Sequence, residues 1–121
     1  MKMQYVNLLG SFGQATDLDS FVTAFFPAMG ISKYEERESG SYVDGRYFKG
    51  ASEHLTVIVS ISDESDHEDL PFWVQVSGDV PDVAGLISEV DRTIRSQVIP
   101  AGFQFARMTN FGRRDEVRID Y

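Results

Sequence analysis

Glu53-His54-Leu55-Thr56-Val57-Ile58-Val59-Ser60-Ile61-Ser62 runs through Asp63-Glu64-Ser65-Asp66-His67-Glu68-Asp69-Leu70-Pro71 into Phe72-Trp73-Val74-Gln75-Val76-Ser77, and this stretch decides the fold. In its first part Leu55, Val57, Val59 and Ile61 alternate with His54, Thr56, Ile58 and Ser60. In its last part Phe72, Val74 and Val76 alternate with Trp73, Gln75 and Ser77. Period two marks strands, because successive side chains of an extended chain point to opposite sides. The connection between the two strands is a loop of carboxylates. Consecutive strands joined by short turns favour antiparallel pairing.

Upstream, Ile31 to Glu38 and Ser41 to Gly50 read as a hairpin around Glu38-Ser39-Gly40-Ser41, with Asp44-Gly45 as an alternative turn or bulge. Tyr42, Tyr47, Phe48 and Trp73 are candidates for a sheet face left uncovered, and periodicity alone does not orient them. Before the hairpin, Leu18, Phe21, Val22, Phe25 and Phe26 recur at helical spacing. Thr16 or Asp17 offers an N-cap, Asp19 suits the helix dipole, and Gly30 offers a stop, so a helix is expected over 17–28 with Pro27 close to its end. Residues 3–9 read as a candidate edge strand, Tyr5, Asn7 and Leu9 opposing Val6 and Leu8.

Downstream, Val83, Leu86, Ile87, Val90, Ile94 and Val98 form the stripe of an amphipathic helix over 81–98. Asp79 or Val80 precedes it, Pro81 suits its first turn, Pro100 to Gly102 ends it, and Asp91 and Arg95 are spaced to pair. Phe103 to Thr109 and Glu116 to Tyr121 read as closing strands, with Val117, Ile119 and Tyr121 facing inward. The order is therefore β-α-β-β-β-β-α-β-β. It predicts a single α+β domain over 1–121, a two-layer architecture with a mainly antiparallel sheet and two amphipathic helices on one face.

Composition agrees with that reading. The chain has 121 residues, 42% of them hydrophobic, including nine Phe, five Tyr and one Trp, enough for a core without disulfides or a structural metal. Cys is absent, which excludes disulfides, thiolate metal sites and cysteine nucleophiles, and fits a cytoplasmic address. The opening residues carry one Lys and a short, interrupted apolar run, so neither a secretory signal nor a membrane span is expected. The formal charge of −8 is unevenly spread. Residues 1–49 carry six acids and five bases, residues 50–91 ten acids and no Lys or Arg, and residues 92–121 three acids and six Arg. A one-signed middle third repels nucleic-acid phosphate and anionic lipid, and it steers a cationic partner into encounter.

Chemistry finds little purchase. No Ser lies in a Gly-x-Ser-x-Gly elbow, and Gly10-Ser11-Phe12-Gly13 is not followed by a phosphate-cradling motif. The two histidines, His54 and His67, lack metal-ligand spacing. The acidic loop offers oxygen ligands without the spacing of a calcium hand, and its exposed carboxylates have nothing to raise a pKa for acid/base work. No catalytic residue, metal or cofactor is expected. His67, set between acids, offers a pH-sensitive contact. Arg113 and Arg114, with Arg107 and Arg118 on flanking strands, offer an anion grip. The surface expected to bind a partner comprises Asp63, Glu64, Asp66, Glu68, Asp69, Trp73, Asp79 and Asp82.

In size, charge and pattern, with Ser41-Tyr42-Val43-Asp44-Gly45-Arg46-Tyr47-Phe48-Lys49-Gly50 and the segment from Ser62 to Val74 as its prompts, the chain resembles the immunity proteins of bacterial contact-dependent inhibition and related polymorphic toxin systems. That resemblance implies a cognate toxin, commonly a basic nuclease, neutralised by an acidic protein that blocks its active site or an adjacent surface. The function expected is steric and electrostatic inhibition of a basic protein. The alternatives are a small metal-dependent or carboxylate enzyme, and a structural or adaptor module that self-associates.

Overall fold

Strand register settles what periodicity leaves open. The computed structural model describes residues 2–13, 17–43, 45–52, 55–62 and 65–121. In chain order these form β1 (Lys2–Phe12), α1 (Leu18–Ala28), β2 (Tyr34–Glu38), β3 (Arg46–Ala51), β4 (Leu55–Ile61), β5 (Phe72–Val80), α2 (Val83–Thr93), β6 (Phe103–Thr109) and β7 (Val117–Asp120). The seven strands make one sheet in the order β2-β3-β4-β5-β1-β6-β7, and every pairing is antiparallel. The result is the α+β fold that the sequence predicts.

β1 is not an edge strand. It lies between β5 and β6, pairing Val6 with Val76 on one side and Leu8 with Arg107 on the other. The physical reason is burial on both faces, since the consecutive Leu8 and Leu9 are each 0% exposed. Because β5 and β6 both run antiparallel to β1, they are parallel to each other. A crossover must join them, and α2 supplies it.

α1 starts where Asp17 accepts the Ser20 amide at 2.7 Å. It stops in a paired C-terminal cap: Ile31 N–H donates to Phe26 and Gly30 N–H to Pro27, both at 2.9 Å, with Gly30 at φ +78. Asp19 does more than favour the dipole, because it pairs with Arg46 at 2.9 Å and ties α1 to β3. α2 starts two residues later than expected. Its N-cap is Asp82, which accepts the Gly85 amide at 2.8 Å, so Pro81 precedes the helix. Beyond Thr93 the chain widens into a π turn, Ile94–Val98, and then tightens into a 3₁₀ turn, Ile99–Ala101.

Alternation sends Val6, Leu8, Val57, Val59, Val74 and Val76 to one side, where they meet Phe21, Phe25 and Leu86 of the helices. Phe21 sits 4.4 Å from Phe72, 5.4 Å from Phe25 and 5.8 Å from Phe103, measured between ring centroids. The packing is close enough that a Cβ on Gly10 would lie 2.4 Å from the Phe105 ring. Two helices about 10 Å wide cannot roof seven strands spaced about 4.8 Å apart. Val117 and Ile119, expected inward on the outermost strand, are accordingly exposed, and so is Val83 at the start of α2.

Candidate binding surface

On the side away from the helices, β1 presents Tyr5, Asn7 and Leu9, β4 presents Thr56, Ile58 and Ser60, and β5 presents Trp73, Gln75 and Ser77. Asn7 is the organising polar group, since its Oδ1 accepts the Trp73 indole N–H at 3.0 Å and the Gln75 amide at 3.3 Å. Those bonds fix the Trp73 ring against the sheet. Two loops then add aromatic neighbours. Residues 39–43 lay Tyr42 on Tyr47 at 4.5 Å and beside Trp73 at 6.1 Å. Residues 110–116 bring Phe111 to 5.9 Å from Trp73 on its other side. The outcome is a row, Tyr47, Tyr42, Trp73 and Phe111, in which every ring is half-buried. Phe48, the fourth orientation that periodicity leaves open, points the other way and is buried against the helices.

A second, smaller apolar cluster lies beneath the acidic loop, where Leu70 packs with Leu9, Ala106 and Met108, and Trp73 and Phe111 border it. Polar clamps hold this lid in place. Arg118 on β7 donates to both oxygens of Asp69, at 3.0 and 2.7 Å, and its Nε donates to Asp120 at 2.8 Å. His67 Nε2 lies 3.0 Å from a Glu116 oxygen, with side chains 12% and 17% exposed. The Arg118 bond holds the Asp69 carboxyl below its ordinary range. Glu116 is likewise lowered, first by the Gly112 amide and then by His67.

The predicted residues therefore divide. Asp66 and Glu68 are exposed and form no ion pair among the described residues. Asp69 is already neutralised by Arg118. Asp79 is exposed opposite Met3, roughly 20 Å along β5 from Trp73 at ~3.3 Å per residue. Asp82 is spent as the α2 cap. Asp63 and Glu64 lie outside the described residues, as do Thr16, Asp44 and His54. Hence Asp66, Glu68 and Trp73 share one end of the sheet, and Asp79 and Asp82 belong to the other.

The basic residues divide too. Arg118 faces the acidic loop, whereas Arg107 points under the helix layer, 3.4 Å from Asp91. Arg113 and Arg114 are exposed at their loop, so the four arginines do not converge on one anion. Asp91 accepts from Tyr121 at 2.5 Å, and Arg95 instead stacks over the Tyr121 ring at 5.6 Å. Burial, then the bond to Asp91, pushes the Tyr121 phenol far up.

Sequence reasoning names Tyr42, Tyr47 and Trp73 but misses Phe111 and the burial of Ser60. An apolar ring within the polar run Asn110-Phe111-Gly112-Arg113-Arg114 is the signal that could have flagged the first. Ser60, a polar residue buried to 1% exposure, gives no such signal. Among the described residues no group of three His, Asp or Glu is placed to hold a metal, and no helix is long and apolar enough to cross a membrane. No protein-family model, curated protein or solved structure matches this chain.

Proposed function

We propose that this chain is an acidic binding protein that captures a basic protein on the helix-free face of its sheet, in the manner of an immunity protein that neutralises its cognate toxin in the cytoplasm. One observation supports this above the rest: the half-buried row Tyr47, Tyr42, Trp73 and Phe111 lies on the same face as a loop whose Asp66 and Glu68 have no ion-pair partner among the described residues. Aromatic anchors supply contact energy at the centre of an interface, and unpaired rim charges speed capture. The roles follow from that division. Trp73 is the anchor, held ready by Asn7, while Asp66 and Glu68 steer. Against a nuclease, rim carboxylates can take positions that substrate phosphates would otherwise occupy. No bond-making step is required.

The test is co-expression with the product of the neighbouring reading frame. A growth-arresting product that is rescued by this chain, and no longer rescued by its Trp73→Ala/Tyr42→Ala variant, supports the reading. A neighbour that is harmless, or that binds the variant equally well, overturns it. Self-association is the second reading, because Tyr5, 54% exposed on the same face, leaves apolar surface available to a second copy. Light scattering separates the two, since a strict monomer at high concentration eliminates the second.

A further inference from the structure

β1 is flanked on both sides over only part of its length. Its ladder with β5 covers Lys2 to Gly10, but its ladder with β6 covers only Asn7 to Phe12. β6 leaves the sheet at Thr109 because Asn110 takes the left-handed conformation, at φ +55, and turns the chain toward Phe111. Residues 2–6 therefore have an open side. The register shows which backbone groups point there. Tyr121 N–H donates to Phe105 C=O, so Phe105 faces β7, and its partner Gly10 faces β5. Alternation along β1 then turns the N–H and C=O of Met3 and Tyr5 to the open side, where they find no strand partner among the described residues. Beside them lies a groove of about 410 Å³, bordered by Tyr5, Val6, Val83, Ile87, Phe111 and Arg113. Met3 and Tyr5 on its strand and Val83 at its helix wall are all exposed.

We propose that this open side receives an extended segment of a partner protein, added to β1 as a strand in the line that β6 vacates, with a carboxylate at the end next to Arg113. Backbone chemistry specifies a polypeptide, because another extended chain offers N–H and C=O groups at the spacing of Met3 and Tyr5. Pairing is antiparallel, as everywhere else in this sheet, which sets the first residue of the segment against the end of β6. Apolar, β-branched residues suit its body, since one face meets Tyr5 and Phe111 and the other meets Val83 and Ile87. Charge suits its first residue to an acid. Arg113 is exposed and forms no ion pair among the described residues, Arg107 is already held by Asp91, and no Asp or Glu borders the groove. At the other end Asp79 stands across β1 opposite Met3, so an acid there is disfavoured. A second copy of β1, paired the same way, would bring Lys2 to the Arg113 end, which favours a different chain over self-pairing.

The probe is acetyl-Glu-Val-Thr-Val-Thr amide, titrated into the intact protein. It should shift the Met3 and Tyr5 amide resonances saturably, with a Kd of about 0.1–1 mM. Protection of those two amides against exchange should rise, while Gln4 and Val6, whose amides already face β5, change little. The peptide N-methylated at its second and fourth residues, whose N–H groups would face β1, should bind about tenfold or more weakly, and the one methylated at its third and fifth should bind like the parent peptide. Moving glutamate from the first position to the last should weaken binding severalfold, as should Arg113→Glu. The absence of saturable binding, equal binding by the two methylated peptides, or indifference to both the glutamate position and Arg113→Glu overturns the proposal. Protection of Met3 and Tyr5 that rises with protein concentration alone assigns the open side to a second copy and overturns it too. No toxin enters the measurement. A chain that takes the peptide but protects against no neighbour loses the function proposed above and keeps this site, and the reverse result separates the two in the other direction.

Discussion

Along β5, Phe72, Val74 and Val76 are buried beneath two helices, while Trp73, Gln75 and Ser77 on the reverse side remain half-buried under loops and open space. The same strand thus serves two surfaces of different construction. The helix side is closed by aromatic packing, in which Phe21 contacts Phe25, Phe72, Phe103 and Phe105. Its energy is spread over area, and no single polar group organises it. The reverse side is held by directional bonds, Asn7 to Trp73 and Arg118 to Asp69. Packing supplies stability and directional bonds supply placement, so changes on the two faces should separate folding from binding.

The largest effect belongs to the helix side. Phe21→Ala should cost about 3–5 kcal/mol of unfolding free energy, read from a urea titration, because the vacated space is walled by rigid rings that cannot collapse into it. A loss under 1 kcal/mol would mean that the two faces are not built differently. On the other face Trp73→Ala should cost about 2 kcal/mol or more in partner affinity, some thirtyfold, with a smaller loss of stability than Phe21→Ala.

A smaller, pH-dependent effect should come from the acidic-loop clamps. Glu116 and Asp69 have pKa values lowered in the fold relative to their ordinary 4.5 and 3.8. Their contribution is therefore complete above those values and is lost as pH falls through the lower folded ones. Protection of the Leu70 amide, taken relative to its intrinsic exchange rate at each pH, should fall below about pH 4.5 before the helix-side core responds, and Glu116→Gln should remove part of that dependence. Simultaneous loss of protection on both faces would make the loop an integral part of the core. The smallest change in stability, within about 0.5 kcal/mol, is expected for Asp66→Lys combined with Glu68→Lys. That variant should instead slow association and flatten its salt dependence. Salt-insensitive association of the parent protein would sink electrostatic steering.

Local physics made much of this legible. Alternation in 55–61 and 72–76 fixes a strand whatever its neighbours, because it follows from backbone geometry, and the stripe Leu86, Val90, Ile94 and Val98 fixes a buried helix face in the same way. Asp17 and Gly30 marked the ends of α1 through their short-range bonds. Neighbour choice was harder. β1 reads as an edge because its two-faced burial becomes visible only once β5 and β6 flank it, and Val117 and Ile119 read as core because their pattern carries no information about how far the helix roof extends.

The sequence by itself determined the element order, the antiparallel sheet, the two helices and the concentration of acid between Gly50 and Asp91, since each follows from periodicity, capping or charge count. Tertiary structure alone decided which of those acids remain unpaired. The arginines of the last third fold back onto the middle third, Arg118 onto Asp69 and Arg107 onto Asp91. It also decided that Tyr42, Trp73 and Phe111, far apart in the chain, form one row. Pairing across so many residues depends on which strands become neighbours, and sheet order is set by burial of the whole domain, which no local window contains.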